Sequence, residues 1–262
     1  REVTVSDCII TTGDDCLTLR AHSALLGEHA QACSDVAVSN CILSTPCNAV
    51  RVGVGEGHVH DCALSDLIIR ESRTGICIVS AYSERSDHGA TLERIHFSDV
   101  LMDCVMPLNL LLGVHAKPPA AIRDISFSHL RARATQGSYI GGNPGHRIEG
   151  VRLHEVSLYL SGAEVDGQFD GAAPRPSGEL GVPSGLYVRE VSGLRARIDP
   201  RGRDQATPSL RDSVSLAAHV LTLRARGWVS PLLRARCPTP SVLLNLWSFS
   251  VGCSCAHLLT TR

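Results

Sequence analysis

The sequence predicts an all-β chain wound as a right-handed, single-stranded parallel β-helix, and three observations carry that expectation. First, an eight-residue pattern recurs as V-T-V-S-D-C-I-I (3–10), V-A-V-S-N-C-I-L (36–43), C-A-L-S-D-L-I-I (62–69), I-H-F-S-D-V-L-M (95–102) and I-S-F-S-H-L-R-A (125–132), with a weaker copy, V-R-L-H-E-V-S-L, at 151–158. Second, its polar centre (Ser6, Ser39, Ser65, Ser98, Ser128, then His154) returns at unequal steps of 26 to 33 residues, as fixed strands joined by variable loops would. Third, no amphipathic helix of ordinary length falls between the copies, so βαβ units are excluded. One rung cannot bury its own apolar face, whereas stacked rungs can. A leucine-rich solenoid is the nearest alternative, but its L-x-x-L-x-L-x-x-N period is missing.

Each copy reads as a strand, a polar Ser-Asp or Ser-Asn turn, and a strand. A second short strand then follows: C-L-T-L-R (16–20), A-V-R-V-G (49–53), I-C-I-V-S (76–80), L-N-L-L-L (108–112) and S-Y-I-G-G (138–142). Period-2 alternation puts Leu17/Leu19, Val50/Val52 and Ile76/Ile78 on one face and Thr18, Arg51 and Cys77 on the other. The Ser-Asp and Ser-Asn pairs recur rung after rung and are read as structural turn ladders. G-G-N-P-G-H (141–146) has no helix after it, so it is a tight turn and not a phosphate loop.

The pattern fades after about residue 160. The stretch 163–185 is loop-like by its Gly and Pro, and 185–198 looks like one more rung. The expected organisation is a β-helix over 1–198 and an unassigned tail over 199–262. The uncharged run 241–261 is long enough to raise a membrane span, but Asn245, His257 and its serines argue against one. Because the chain enters at Arg1 inside an apolar alternation, further rungs are expected upstream.

Composition narrows the function classes. Apolar residues make up 44% of the 262 and aromatics only 4%, with the β-branched and turn-forming types prominent. A net charge of −1 without a long basic run argues against nucleic acid as partner. The eleven cysteines include no C-x-x-C, and C-S-C at 253–255 is too close for ordinary zinc spacing. Cys8, Cys16, Cys41, Cys77 and Cys104 fall inside apolar strands, where Cys behaves as a small buried hydrophobe. His58, His60, Asp61 and His88 make no specific ligand pattern. No metal and no cofactor are expected.

The stretch S-D-C-I-I-T-T-G-D-D-C-L-T-L, followed by V-S-N-C-I-L-S-T-P-C-N-A-V-R-V-G, resembles the polygalacturonases, glycoside hydrolase family 28. Gly13, Asp14, Asp15 and Cys16 match that family's glycine-aspartate-aspartate-cysteine run into a core strand. The resemblance implies a parallel β-helix that hydrolyses pectic galacturonan with inversion. Inversion needs a carboxylic acid that protonates the leaving oxygen and a carboxylate that activates water from the opposite face. By that resemblance Asp14 is the general acid. Asp15 helps to activate water, together with a carboxylate one rung upstream, beyond Arg1.

The chain departs from the family pattern at two places. Cys47, Asn48 and Ala49 stand where the family has Gly-His-Gly, and Cys77, Ile78 and Val79 where it has Arg-Ile-Lys. Arg51, Arg20 and Arg73 are the cations left to replace them, each with an ordinary solvated arginine as the alternative. Asn48 is a candidate hydrogen-bond donor to substrate, or simply a residue that tolerates a left-handed turn. Tyr82 is a candidate sugar-stacking aromatic. The partner expected is a polysaccharide or oligosaccharide, with the protein acting as a monomer, away from membranes and nucleic acid. The resemblance implies a secreted or extracytoplasmic location. A non-catalytic carbohydrate-binding β-helix is the alternative, and a β-helix lyase or epimerase is a further one.

Overall fold

The computed structural model describes residues 2–21, 32–53, 56–81, 89–113, 121–160 and 186–197, together with strand segments 222–224, 242–247 and 256–257. Every element in it is a strand. The first rung carries β1 (Val3–Ser6), β2 (Ile9–Thr11) and β3 (Leu17–Leu19). The next carries β4 (Cys33–Ser44) and β5 (Asn48–Gly53). Long strands β6 (His58–Ala81) and β7 (Thr91–Gly113) each run through a whole rung. Then come β8 (Ala121–Ala134) with β9 (Ser138–Gly141), and β10 (Ile148–Leu160) with β11 (Leu186–Arg189). β12 (Val191–Ser192) and β13 (Arg195–Arg197) begin the next turn of chain. All pairings between these rungs are parallel, which makes the chain a parallel β-helix, as the repeat predicts.

The repeat sets the register. Ser6, Ser39, Ser65, Ser98, Ser128 and His154 stack on one another in turn. The residue after each takes a left-handed backbone: Asp7 (φ 58°), Asn40 (52°), Asp66 (53°), Asp99 (54°), His129 (50°) and Glu155 (52°). A second ladder of such residues, Asp35, Asp61, Arg94 and Asp124, turns a corner five residues earlier. The predicted polar turns are therefore single-residue corners within continuous strands. Asn, Asp and His are the non-glycine residues that adopt this conformation most readily.

Between and beyond the corners, alternate side chains fill the core. Leu17 and Leu19 stack on Val50 and Val52, and these on Ile76 and Ile78, as the period-2 pattern predicts. Phe97 stacks on Phe127 with ring centroids 5.2 Å apart. Each such aliphatic or aromatic side chain, once buried, stabilises the fold by about 1.5–3 kcal/mol. The opposite face differs from a simple solvated surface. Arg51 and Cys77 point away from this core, yet both are buried. Cys77 joins Val79, Met106, Leu111, Tyr139 and Tyr187 in a second apolar cluster.

Two sequence expectations are refined here. The turn 141–146 forms as predicted, with Asn143 and His146 exchanging backbone hydrogen bonds of 2.9 Å. The tail, without pattern in the sequence, contributes β14 (Thr222–Arg224), β15 (Val242–Trp247) and β16 (Ala256–His257). β15 pairs antiparallel with β11, and β16 antiparallel with β10. A strand edge accepts any extended segment, so such a pairing leaves no repeat to read. Among the described residues no helix is long and apolar enough to cross a membrane. The loop-like stretch 163–185 lies outside the described residues.

Cys41, Cys62, Cys77 and Cys104 are buried free thiols. Burial pushes the thiols of Cys62, Cys77 and Cys104 up to about 12, from an ordinary 9.0. The folded chain therefore holds these protons when the unfolded chain has lost them, and stability should fall as pH rises from about 9 towards 12. Urea midpoints measured across that range check this; a flat profile would contradict it. Gly53 offers a backbone test. Its φ is +104°, and a Cβ there would stand 2.0 Å from the Val79 carbonyl oxygen. Gly53→Ala should destabilise the fold by about 2–4 kcal/mol, whereas Gly13→Ala should shift the urea midpoint little. Nothing lies within 4 Å of a Cβ built on Gly13.

Candidate functional site

The two adjacent aspartates occupy the turn 12–16 between β2 and β3. Pairing of Thr11 with Ser44 and of Leu17 with Val50 lays this turn over residues 45–49 of the next rung. Asp14 thus stands over Cys47, and Asp15 over Asn48. Asn48 in turn pairs with Thr74, which brings Arg73 beneath Cys47. The turn is pinned through the Asp14 carbonyl oxygen. It accepts the hydroxyl of Thr12 and, at 2.5 Å, that of Thr45. The sequence reading missed both threonines, although they fall at equivalent positions of two aligned rungs.

The two carboxylates have different surroundings. Asp14 is exposed, and its Oδ1 accepts the Asp15 backbone N–H at 2.8 Å. Asp15 is largely shielded. Its Oδ1 accepts the Asn48 side-chain amide at 2.6 Å and the Asn48 backbone N–H at 3.2 Å. Its Oδ2 lies 3.4 Å from Arg51 Nη1, with 14% of the Asp15 side chain and 9% of the Arg51 side chain exposed. Three donors thus converge on one acceptor-only group. Shielding makes this ion pair worth more than an exposed one, because neither solvent nor salt screens it fully.

Cys47 completes the cluster. Burial pushes its thiol up, the Arg73 guanidinium opposes that, and the Asp14 and Asp15 carboxylates add to the rise. Asp14, Asp15 and Cys47 each offer an atom within 4.8 Å of the others. A thiol held protonated beside two hard oxygens is a poor cation set, since a sulfur ligand must be deprotonated. Asn48 Oδ1, Arg73 Nε and Thr74 Oγ1 are buried and lack a hydrogen-bond partner among the described residues. Unsatisfied buried atoms are few in folded proteins; here one lies on the residue stacked against Asp15 and two lie on the rung after it.

Of the sequence candidates, the structure brings Asp14, Asp15, Asn48, Arg51 and Arg73 to one corner. Asn48 and Arg51, expected to meet substrate, are buried against Asp15 and hold it in place. Arg20 is exposed beyond β3, with no ion pair to either aspartate among the described residues. Tyr82 and His88 lie outside the described residues. His58 pairs with Glu93 at 3.0 Å, and His60 with Asp61 at 2.5 Å. Arg94 grips Asp61 through Nε and Nη2 at 2.6 and 3.0 Å, and this holds the Asp61 carboxyl well below its ordinary range. The H-x-H-D run is thus part of a charged ladder.

No protein-family model matches the chain, and no curated protein or solved structure matches it either. The likeness to polygalacturonases rests on the residues quoted above.

Removing the Asp15 carboxylate would strand the Asn48 donors and the shielded Arg51. Asp15→Ala should therefore destabilise the fold by about 1–3 kcal/mol. Asp14→Ala, on the exposed side, should leave the urea midpoint nearly unchanged. Equal losses in the two variants would contradict the asymmetry.

Proposed function

We propose that this β-helix is a glycoside hydrolase that cleaves a pectic or related polysaccharide at the corner carrying Asp14 and Asp15. The observation that carries the proposal is the division between two neighbouring carboxylates. One is open to a substrate, and the other is fixed by three donors. Asp14 is the proton donor to the leaving oxygen. Asp15 supplies a fixed negative charge beside the developing oxocarbenium ion. Asn48 and Arg51 are positioning residues for Asp15. Arg73, half-buried two rungs from Asp14, is the cation best placed to meet an acidic sugar.

A second reading is favoured by one measurement. The nearest atoms of Asp14 and Asp15 lie within 4.8 Å, whereas an inverting pair stands about 6.5–9.5 Å apart to admit water. The pair cannot by itself hold that water, so inversion requires the further carboxylate that the resemblance implies upstream. Without it, the corner would bind carbohydrate and not turn it over.

The test is to incubate the chain and its Asp14→Asn variant with pectic and neutral glycans, with and without EDTA, and to follow new reducing ends. The hydrolase reading expects EDTA-resistant release that falls about 10²–10⁴-fold in the variant. Binding of a glycan without release selects the carbohydrate-binding reading. EDTA-sensitive release with an unsaturated product selects a lyase. Neither release nor binding rejects the site.

A further inference from the structure

Two departures from the repeat meet at one corner of the helix. Position 154 holds His where the stacked rungs hold Ser6, Ser39, Ser65, Ser98 and Ser128. Position 129 holds His at the left-handed corner where earlier rungs hold Asp7, Asn40, Asp66 and Asp99. Glu155 stands next in that corner ladder. His129, His154 and Glu155 each offer a ligand atom within 4.8 Å of the other two, and all three reach solvent at least in part. We propose that these three side chains form a binding site for one divalent transition-metal ion, zinc foremost.

The geometry favours a metal over a simple ion pair. His129 Nε2 lies 3.4 Å from Glu155 Oε2. That is longer than the about 2.7–2.9 Å of a charge-assisted hydrogen bond. Two ligands bound at about 2.0–2.1 Å to a tetrahedral zinc stand about 3.3–3.4 Å apart, so this gap is the edge of such a tetrahedron. The other nitrogen of the same ring, Nδ1, lies 3.5 Å from Asp99 Oδ1. That gap is also longer than a hydrogen bond, but once the ring is drawn to a metal a small shift would let Asp99 accept the Nδ1–H. This would fix the tautomer and leave the Nε2 lone pair for the metal. The His129 and His154 rings meet edge to face, 5.6 Å between centroids, so they are not stacked flat against each other. Two imidazoles and one carboxylate suit zinc and its neighbours, whereas calcium and magnesium prefer oxygen alone. Three protein ligands leave a fourth position for water.

Charge alone accounts for less. A histidine between exposed Asp99 and Glu155 is a screened surface ladder of small value, and it gives no reason for His154. A metal uses all three side chains. It would tie β8 to β10, with Asp99 of β7 behind, and so staple successive rungs. Its ligands come from two rungs, and therefore no linear spacing announces them.

The test uses the full chain, stripped with EDTA and dialysed. ZnCl2 is titrated by calorimetry, and CoCl2 by visible absorption. His154→Ser and His129→Asn are the variants, because each restores a residue that other rungs carry at the same corner. Circular dichroism confirms that both keep their β-structure. The wild type should bind one equivalent of zinc that both variants lose, and zinc should raise its thermal midpoint and not theirs. Its cobalt complex should show the intense visible bands of tetrahedral coordination. Asp99→Asn should weaken zinc binding by about 10–100-fold. Equal zinc stoichiometry and affinity in the wild type and both variants would overturn the proposal, as would a weak cobalt spectrum of six-coordinate type.

Discussion

The rungs of this β-helix turn corners on single residues held in the left-handed region, and everything else depends on those residues falling in line. A strand alternates its side chains between two faces, so a slip of one residue would turn a rung's apolar set out of the core. The left-handed residue at Asp7, Asn40, Asp66, Asp99, His129 and Glu155 fixes where each strand bends. Left-handed backbone costs about 1–2 kcal/mol at most non-glycine residues. Stacking repays this, because Val38, Leu64, Phe97 and Phe127 reach the core at the same height in successive rungs.

This is why so much of the fold was legible in the sequence. A solenoid writes its contacts as a repeat, and the repeated Ser marks the register that the strands adopt. The inward sets at Leu17/Leu19, Val50/Val52 and Ile76/Ile78 follow from alternation alone. What was not legible has a physical reason in each case. Alternation says that Arg51 and Cys77 face away from one core, but not that a second apolar cluster lies on that side. The tail strands β15 and β16 pair antiparallel, outside the repeat, so no periodicity marks them.

The candidate site was half legible. Asp14 and Asp15 stand out because one acid suffices for a turn. Their unequal surroundings do not stand out, because these come from the next rung. The Asn48 amide and the Arg51 guanidinium reach Asp15 across a step of more than thirty residues. Read singly, these two residues look like groups waiting for a substrate. Read in register, they are the partners of Asp15. Thr12 and Thr45 tell the same story, since two ordinary hydroxyls gain meaning only when both are found on one carbonyl oxygen.

The two chemically promising corners share a logic that follows from the stacking constraint. Parallel, in-register rungs place like over like, so a residue that merely builds the corner recurs up the ladder, as Ser39, Ser65 and Ser98 do. A ladder that changes residue type gives up that uniformity. Asp14 over Cys47 over Arg73 passes from acid to thiol to base within three rungs, and Asp15 over Asn48 over Thr74 passes from acceptor to donor. At the other corner, His129 and Glu155 break a run of Asp and Asn that ends at Asp99, just where His154 breaks the run of Ser. Changes that served packing alone would fall on the inward positions, where volume is constrained. These fall on polar corner positions, open to solvent at Asp14, His129 and Glu155 and buried at Asn48 and Thr74, outside the inward rows where volume decides.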